Sequence, residues 1–290
     1  MTGWVGGRAG GGLGGTPVKE ALDGATTAIG AAGCETPRLD AEVLLAHVLG
    51  VARERLLLDD DLTVTGPAVR AFQDAVRRRS VEREPVAYII GRRGFRRLEL
   101  MSGPRALIPR PETELLVEVG LALPRGARVL DVGTGGGAVA LALKDERPDL
   151  HMTGSDISEA ALELARANGE RLGLEVKWLR ADLLAGVEDE YGAVLANPPY
   201  VAESERGSLA PEILRHEPHE ALFAGEDGLA VIGELLSQLG GRSRASFVAL
   251  EVGAGQARPV AGLTRAAGFQ AVRAERDLAG IERVVVGERR

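Results

Sequence analysis

The sequence predicts an α/β protein: a mainly parallel β-sheet covered by helices on both faces, preceded by a small helical bundle and a short β-hairpin connecting the two. Three observations predict it. Apolar residues recur at helical spacing from residue 17 to about 84; glycines and arginines enclose short apolar runs between 91 and 104; and beyond 127 short apolar runs alternate with amphipathic stretches of helical length. Strands alternating with such helices imply right-handed crossovers and parallel pairing. With 290 residues, 45% of them apolar, the chain can bury a large core and is long enough for about two domains.

Residues 1–16 hold eight glycines and few large apolar side chains, too little to offset the entropy of ordering, and are expected to be a disordered leader. Residues 17–90 are expected to form the helical bundle. Ala21, Leu22, Ala25 and Ile29 trace one apolar face, Leu39, Val43, Leu44, Val48 and Leu49 a second, and Val69, Phe72, Ala75 and Val76 a third. Turn signals at Gly30, Gly33, Pro37, Gly50 and the Gly66-Pro67 pair separate them. Residues 91–106, with Phe95, Leu98 and Leu100 among glycines and arginines, are expected to be the hairpin connector. Eight arginines, at 77, 78, 79, 83, 92, 93, 96 and 97, are interrupted by only two acids, Glu82 and Glu84. They read either as a solvated face whose stems cover apolar surface, or as a docking patch for a partner such as nucleic acid.

Residues 107–290 carry the sheet. Expected strands span 127–131, 151–155, 175–180, 193–196, 246–251, 270–274 and 283–286; expected helices include 137–146, 158–172, 228–240 and 256–267. Ligands of such sheets bind beyond the carboxyl ends of the strands, which is where the unusual residues fall.

Several function classes are disfavoured. The net charge of −7 is uneven, with 14 Lys/Arg against 13 Asp/Glu in residues 1–100 and 21 against 29 thereafter, which argues against gripping long nucleic acid over most of the surface. A single cysteine, Cys34, excludes an intramolecular disulfide framework, and no Cys/His grouping has structural zinc spacing. No apolar run approaches the roughly 18 residues of a membrane span, and the start lacks a signal-peptide layout, so a cytoplasmic location is expected.

The first chemical motif is VLDVGTGGG at 129–137, an apolar strand running into a glycine-rich turn at Gly133, Thr134, Gly135, Gly136 and Gly137 and then a helix. Glycine permits positive φ and close backbone approach, and a helix N-terminus favours an anionic or polar ligand group, although such a cluster can also be only a tight turn. Asp156 closes the second strand, 23 positions after Gly133, where a carboxylate can accept from both hydroxyls of a ribose. It could instead cap the next helix, but Ser158 is better placed for that. Asp182, after the third strand, could accept from an adenine amino group with Leu183 packing beside the ring; a surface-turn aspartate is the other reading. Asn197-Pro198-Pro199-Tyr200 follows the apolar fourth strand directly. Its prolines offer no N–H and restrict φ, so the turn presents carbonyl oxygens and an Asn side chain in fixed directions, an acceptor-rich claw for an NH2 group. His216 and His219 have helical ligand spacing, but Pro218 lies between them and no third ligand is evident, so loop histidines are expected. Glu251, ending the fifth strand, either lines the cleft or steadies a turn.

With the glycine-rich turn, Asp156 and NPPY at 197–200, the chain resembles S-adenosylmethionine-dependent methyltransferases acting on a planar amino or amide nitrogen. The tetrapeptide is common to adenine N6 and glutamine N5 methyltransferases. Further segments resemble the HemK-type peptide chain release factor glutamine methyltransferases: PRLDAEVLL at 37–45, EPVAYIIG at 84–91, LIPRPETELLVE at 107–118, Glu217-Pro218 with Ala221-Leu222, and RDLAGIER at 276–283. The likeness runs in order over roughly residues 17–288. The glycine-rich leader lies outside it, and at Leu183 some relatives carry an aromatic.

The resemblance implies a Rossmann-like seven-stranded methyltransferase sheet over 107–290 and a substrate-recognition role for 17–90. It implies methylation of the side-chain amide of the glutamine in the Gly-Gly-Gln loop of class I release factors. S-Adenosyl-L-methionine would be the donor and S-adenosyl-L-homocysteine the product, with no metal, no membrane, no stable nucleic-acid partner and a monomeric chain. Asn197 and Pro198 would accept the two amide hydrogens, Pro199 and Tyr200 would complete the substrate contact, and the Gly133–Gly137 turn, Asp156, Asp182, Leu183 and Asn197 would hold the donor. Arg110 would be a lid over the donor's amino-acid end or a structural arginine paired with Glu112 or Glu114. The rival activity is adenine N6 methylation of nucleic acid; a cofactor-bound docking module without transfer is the non-enzymatic alternative.

Overall fold

A computed structural model describes residues 15–59, 61–242 and 245–289 of the chain. The chain divides into two compact units, one ending at Ile90 and one running from Gly91. In the first, a two-residue bridge pairs β1 (Thr16–Pro17) with β2 (Thr63–Val64) beside five helices: α1 (Val18–Ala31), α2 (Pro37–Leu49), α3 (Arg55–Leu58), α4 (Pro67–Ser80) and α5 (Val86–Ile90). Of the expected leader, residues 1–14 lie outside the described residues, and Thr16 belongs to β1, pairing with Val64.

Leu22, Ala25, Ile29, Leu44, Leu45, Phe72 and Ala75 form the core of this unit, as helical spacing predicts. Leu39 does not: it is 43% exposed, while its neighbour Asp40 is buried. The reversal has an electrostatic cause, because Asp40 accepts from Arg79 Nε at 2.7 Å with both side chains under 10% exposed, and also from Thr36 Oγ1 at 2.8 Å. A charge pair taken from water must be neutralised in place.

Most of the arginine-rich stretch is likewise engaged. Arg77 pairs with Asp74 and Glu82, Arg78 binds Glu84 through two nitrogens at 2.6 Å, and Arg83 donates to the Ala32 carbonyl. In the second unit Arg96 donates to Glu146 and Glu118, Arg97 to Asp145 and Arg92 to Glu99. Side chains neutralised in this way fit the solvated-face reading better than the docking patch.

The second unit opens with a hairpin, β3 (Arg92–Phe95) and β4 (Leu98–Met101), turning at Arg96 with φ 53°. It does more than connect: Phe95 and Leu100, each 2% exposed, enter the core of this unit. After α6 (Glu114–Leu121) come β5 (Arg128–Val132), α7 (Ala138–Glu146), β6 (His151–Asp156), α8 (Glu159–Leu172), β7 (Lys177–Arg180) and β8 (Ala193–Ala196). Then follow α9 (Pro211–His216), α10 (Ala230–Gly240), β9 (Phe247–Glu251), α11 (Ala257–Ala266), β10 (Ala271–Arg276) and β11 (Glu282–Glu288).

The seven strands β5 to β11 form one Rossmann-like sheet in the order β10-β11-β9-β8-β5-β6-β7, parallel except for β11, which runs against both neighbours. Alternation along the strands feeds two cores: Leu130, Val132, Val194 and Leu250 pack with Leu235 and Leu236 of α10, whereas Val129, Leu195 and Ala249 pack with Leu116 of α6 and Leu141 of α7.

Asp40→Ala leaves Arg79 buried without its carboxylate. The first unit is expected to lose about 3–5 kcal/mol, measured by urea denaturation of the full chain with hydrogen exchange reporting α1, α2 and α4.

Candidate active site

Strand register assembles the site. Val132 pairs with Ser155 on one side and Ala196 on the other, and Ala196 pairs with Leu250. One step further along, Gly133, Asp156, Asn197 and Glu251 therefore stand level at the carboxyl edge of the sheet. The strand order reverses between β5 and β8, and the crevice there opens into a cavity of about 510 Å³. Gly133, Thr134, Gly135, Gly136, Asp156, Asp182, Leu183, Asn197 and Pro199 all line it.

The glycine turn is held from both sides. Thr134 N donates to the Ser155 carbonyl at 2.9 Å, Gly135 N to Asp156 Oδ2 at 2.9 Å and Gly137 N to the Thr134 carbonyl at 2.8 Å. Gly133, Gly135 and Gly137 have φ of 69°, 54° and 86°. At Gly137 space is decisive as well, since a Cβ would come within 2.9 Å of the Trp178 ring and 3.0 Å of Leu141. Beneath the turn, Asp131 Oδ2 accepts from Thr134 Oγ1 at 2.6 Å and from Ala140 N at 3.2 Å, satisfying a first-turn N–H of α7. Burial raises the Asp131 pKa to about 7.

Asp156 accepts from Gly135 N and, through Oδ1, from Ser158 N at 2.9 Å, and burial raises its pKa. The cap of α8 is Ser158, whose Oγ accepts from Ala161 N. Leu183 holds φ 52°, a left-handed conformation costly for a branched residue, in the turn closed by Ala185 N on the Asp182 carbonyl.

In the NPPY turn, Asn197 Nδ2 donates to Thr113 Oγ1 at 3.1 Å, Pro198 is buried and Pro199 lines the cavity. Tyr200 is half-buried; its hydroxyl donates to Glu251 Oε1 at 3.2 Å and its carbonyl accepts from Gln256 Nε2 at 2.9 Å. Neither Pro198 nor Tyr200 is among the lining residues. Gly228, with φ 72°, packs on the Tyr200 carbonyl so closely that a Cβ would meet the oxygen at 2.2 Å. Burial and the neighbouring Glu251 hold the Tyr200 phenol above its ordinary pKa, and burial raises Glu251 to about 7.

Arg110 pairs with neither Glu112 nor Glu114. It donates to Glu217 Oε1 at 2.5 Å and to the Ile108 carbonyl, while Glu217 Oε2 accepts from Ile108 N. Glu217 is 4% exposed, and a carboxylate so far from water gains more from pairing with the arginine than the less buried Glu112 and Glu114 would. Arg110 is not a lining residue, but its neighbours Leu107 and Pro109 are.

The two histidines lie in short helical turns and not, as expected, in open loop. His216 ends α9, and His219 contacts the Leu214 carbonyl and stacks edge-on against Phe223; no acidic, His or Cys group suited to a metal is found among the described residues. Sequence reasoning gave no site role to Thr113, Glu217, Gly228 or Gln256, all held to the site by contacts remote along the chain. Thr113 and Glu217 fall within segments that carry the family resemblance, and Gln256 follows Glu251 and Gly253 just after a strand.

Residues 20–91 match the family model described as the PrmC N-terminal domain, and residues 111–233 that of the methyltransferase small domain. The fold and site thus define a methyltransferase. A release factor glutamine methyltransferase from Rhodospirillum rubrum is 41% identical over 274 residues, 93% of this chain and 84% of that protein. One of the same name from Deinococcus radiodurans is 38% identical over 276 residues, 94% and 98% of the two chains. The chain belongs to the release factor glutamine methyltransferase family. Among solved structures, a Pyrococcus furiosus methyltransferase shares the fold at TM-score 0.51 and 18% identity, covering 66% of this chain and 88% of that one.

The folded-state pKa of Asp131, about 7, lies above the 3.8 of an unperturbed aspartate, so folding takes up a proton between those values and stability contributed by this group is lost as pH rises through about 7. Asp131→Asn, which keeps an acceptor for Thr134 and Ala140, is expected to flatten that decline, worth up to about 1.4 kcal/mol per pH unit. Urea denaturation of both proteins across pH 4 to 8 (about the window of that titration) measures it.

Proposed function

We propose that this chain transfers a methyl group from S-adenosyl-L-methionine to the side-chain amide nitrogen (N5) of the glutamine in the Gly-Gly-Gln motif of class I peptide chain release factors, in the cytoplasm. The observation that carries the proposal is the Asn197 side chain. Its nitrogen is committed to Thr113, which leaves Oδ1 as the acceptor at the edge of the cavity. The names of the relatives favour a protein glutamine over an adenine. No helix among the described residues is long and apolar enough to cross a membrane.

The cavity residues fit the donor. Five acidic side chains, of Asp131, Asp156, Asp182, Glu220 and Glu234, and one arginine, Arg105, line the space, an acidic excess suited to a cationic ligand even with Asp131, its pKa raised to about 7, only partly charged near neutral pH. Asp156 would accept from the ribose hydroxyls with the lone pairs that Gly135 and Ser158 leave open. Asp182 and Leu183 would receive the adenine, and the glycine turn, of which residues 133–136 but not Gly137 line the cavity, would take the amino-acid end. The donor supplies an electrophilic methyl on a sulfonium.

An amide nitrogen is a poor nucleophile because its lone pair is delocalised into the carbonyl. Asn197 Oδ1 and the Pro198 carbonyl would accept the two amide hydrogens, orienting the nitrogen and favouring its pyramidalisation as attack proceeds. Tyr200, fastened at its hydroxyl by Glu251 and at its carbonyl by Gln256, would support the turn and exclude water. One amide proton is lost to solvent after transfer.

Labelled donor offered with intact release factor, its Gln-to-Ala loop variant and duplex DNA is expected to label the intact protein alone; label in DNA would establish the adenine reading instead. Asn197→Ala is expected to lower transfer at least about a hundredfold with donor affinity unchanged within about twofold. Transfer at the parental rate would rule out the amide claw.

A further inference from the structure

We propose that Thr113 and Glu251 are positioning residues that hold the Asn197 carboxamide with its oxygen turned toward the cleft. This rests on the proposed function and deepens it. The two ends of an asparagine amide are nearly identical in shape but opposite in hydrogen bonding, so an acceptor claw works only if one orientation is enforced. Nothing local to the NPPY turn enforces it. The partner comes from 84 positions away, where the 3₁₀ turn Pro111–Thr113 at the start of α6 brings a threonine hydroxyl to Asn197 Nδ2.

A hydroxyl can accept from Asn197 or donate to it, and what lies behind Thr113 decides which. Glu251 is 1% exposed and faces Thr113 and Tyr200, with Glu112 and Arg283 contributing at longer range. Its Oε1 accepts from Tyr200, while Oε2 is buried without a hydrogen-bond partner. While ionised, Glu251 only accepts, so its unpartnered oxygen draws the Thr113 proton and the threonine lone pair is presented to Asn197. The threonine hydroxyl then has one polarity, its lone pair toward Asn197 and its proton toward Glu251, and Asn197 Oδ1 is left in the cleft. A buried acceptor left unsatisfied costs more than the bond that relieves it, which gives the arrangement its preference. Glu251 thereby joins both ends of the tetrapeptide: Asn197 through Thr113, and Tyr200 directly.

The test compares Thr113→Val, Thr113→Ser and Glu251→Gln in the full chain. Thr113→Val is expected to lower kcat for release factor methylation about tenfold, the effect of one hydrogen bond, with donor Kd within about twofold. Thr113→Ser is expected to restore kcat to within about threefold, and Glu251→Gln, which offers a donor to Thr113, to lose about as much as Thr113→Val. An independent readout is solvent exchange of the Asn197 side-chain amide protons, assigned by their absence in Asn197→Asp: one proton is protected in the parent and unprotected in Thr113→Val. Parental kcat and unchanged exchange in Thr113→Val would overturn the proposal, as would a loss of donor affinity matching the loss of kcat. If the parent methylated no release factor, the functional reading would fail by itself, and the exchange measurement would still decide whether Thr113 orients Asn197.

Discussion

The cleft depends on the parallel pairing of β5 with β8. These strands are neighbours in the sheet but far apart in the chain, and their pairing places the turn after each one at the same edge. The sheet order reverses between them, so the loops that follow diverge to opposite sides and leave a crevice instead of closing over the edge. A shift of one residue in this register would turn Val132 and Ala196 to the wrong core, and the same shift would separate Gly133 from Asn197. Apolar packing and site geometry are thus secured by one set of contacts.

Around that edge the polar groups form a closed set. Asp131 supports the glycine turn from below, Asp156 ties it to the second strand, and Glu251 connects to the NPPY turn through Tyr200. Asp156 and Glu251 end their strands and Asp131 stands one residue before the end of its own; backbone or hydroxyl donors reach each of them, Glu251 Oε2 remaining unpartnered, and burial raises the pKa of all three. Held by hydrogen-bond donors and not by cations, these groups add negative potential to the carboxyl edge as they ionise, which a compensating lysine or arginine would cancel. The remaining ties, Arg110 with Glu217 and Gln256 with Gly253 and Tyr200, hold the rim segments that carry Pro109, Pro218 and Pro199.

Much of this was legible in the chain. The short apolar runs and the helical apolar patterns of residues 127–286 place the seven strands and four of their helices to within a few residues, because burial between two helical layers demands near-continuous apolar strands. The glycine turn, Asp156 and NPPY stand out since each is a short, chemically unusual segment at a strand end. Local spacing failed where charge overruled hydrophobicity, as at Leu39 and Asp40, and where a helix was short or began with a turn, as with α6.

The sequence by itself determined which elements form and which residue types reach the carboxyl edge, because both follow from periodicity and from backbone rules that act over a few residues. Only the tertiary structure decided the partners: Arg79 for Asp40, Glu217 for Arg110, Thr113 for Asn197 and Glu251 for Tyr200. Those pairs span from 39 to 107 positions. A hydrogen bond is selected by direction and burial at the folded surface, and neither quantity exists until the strands have set their register.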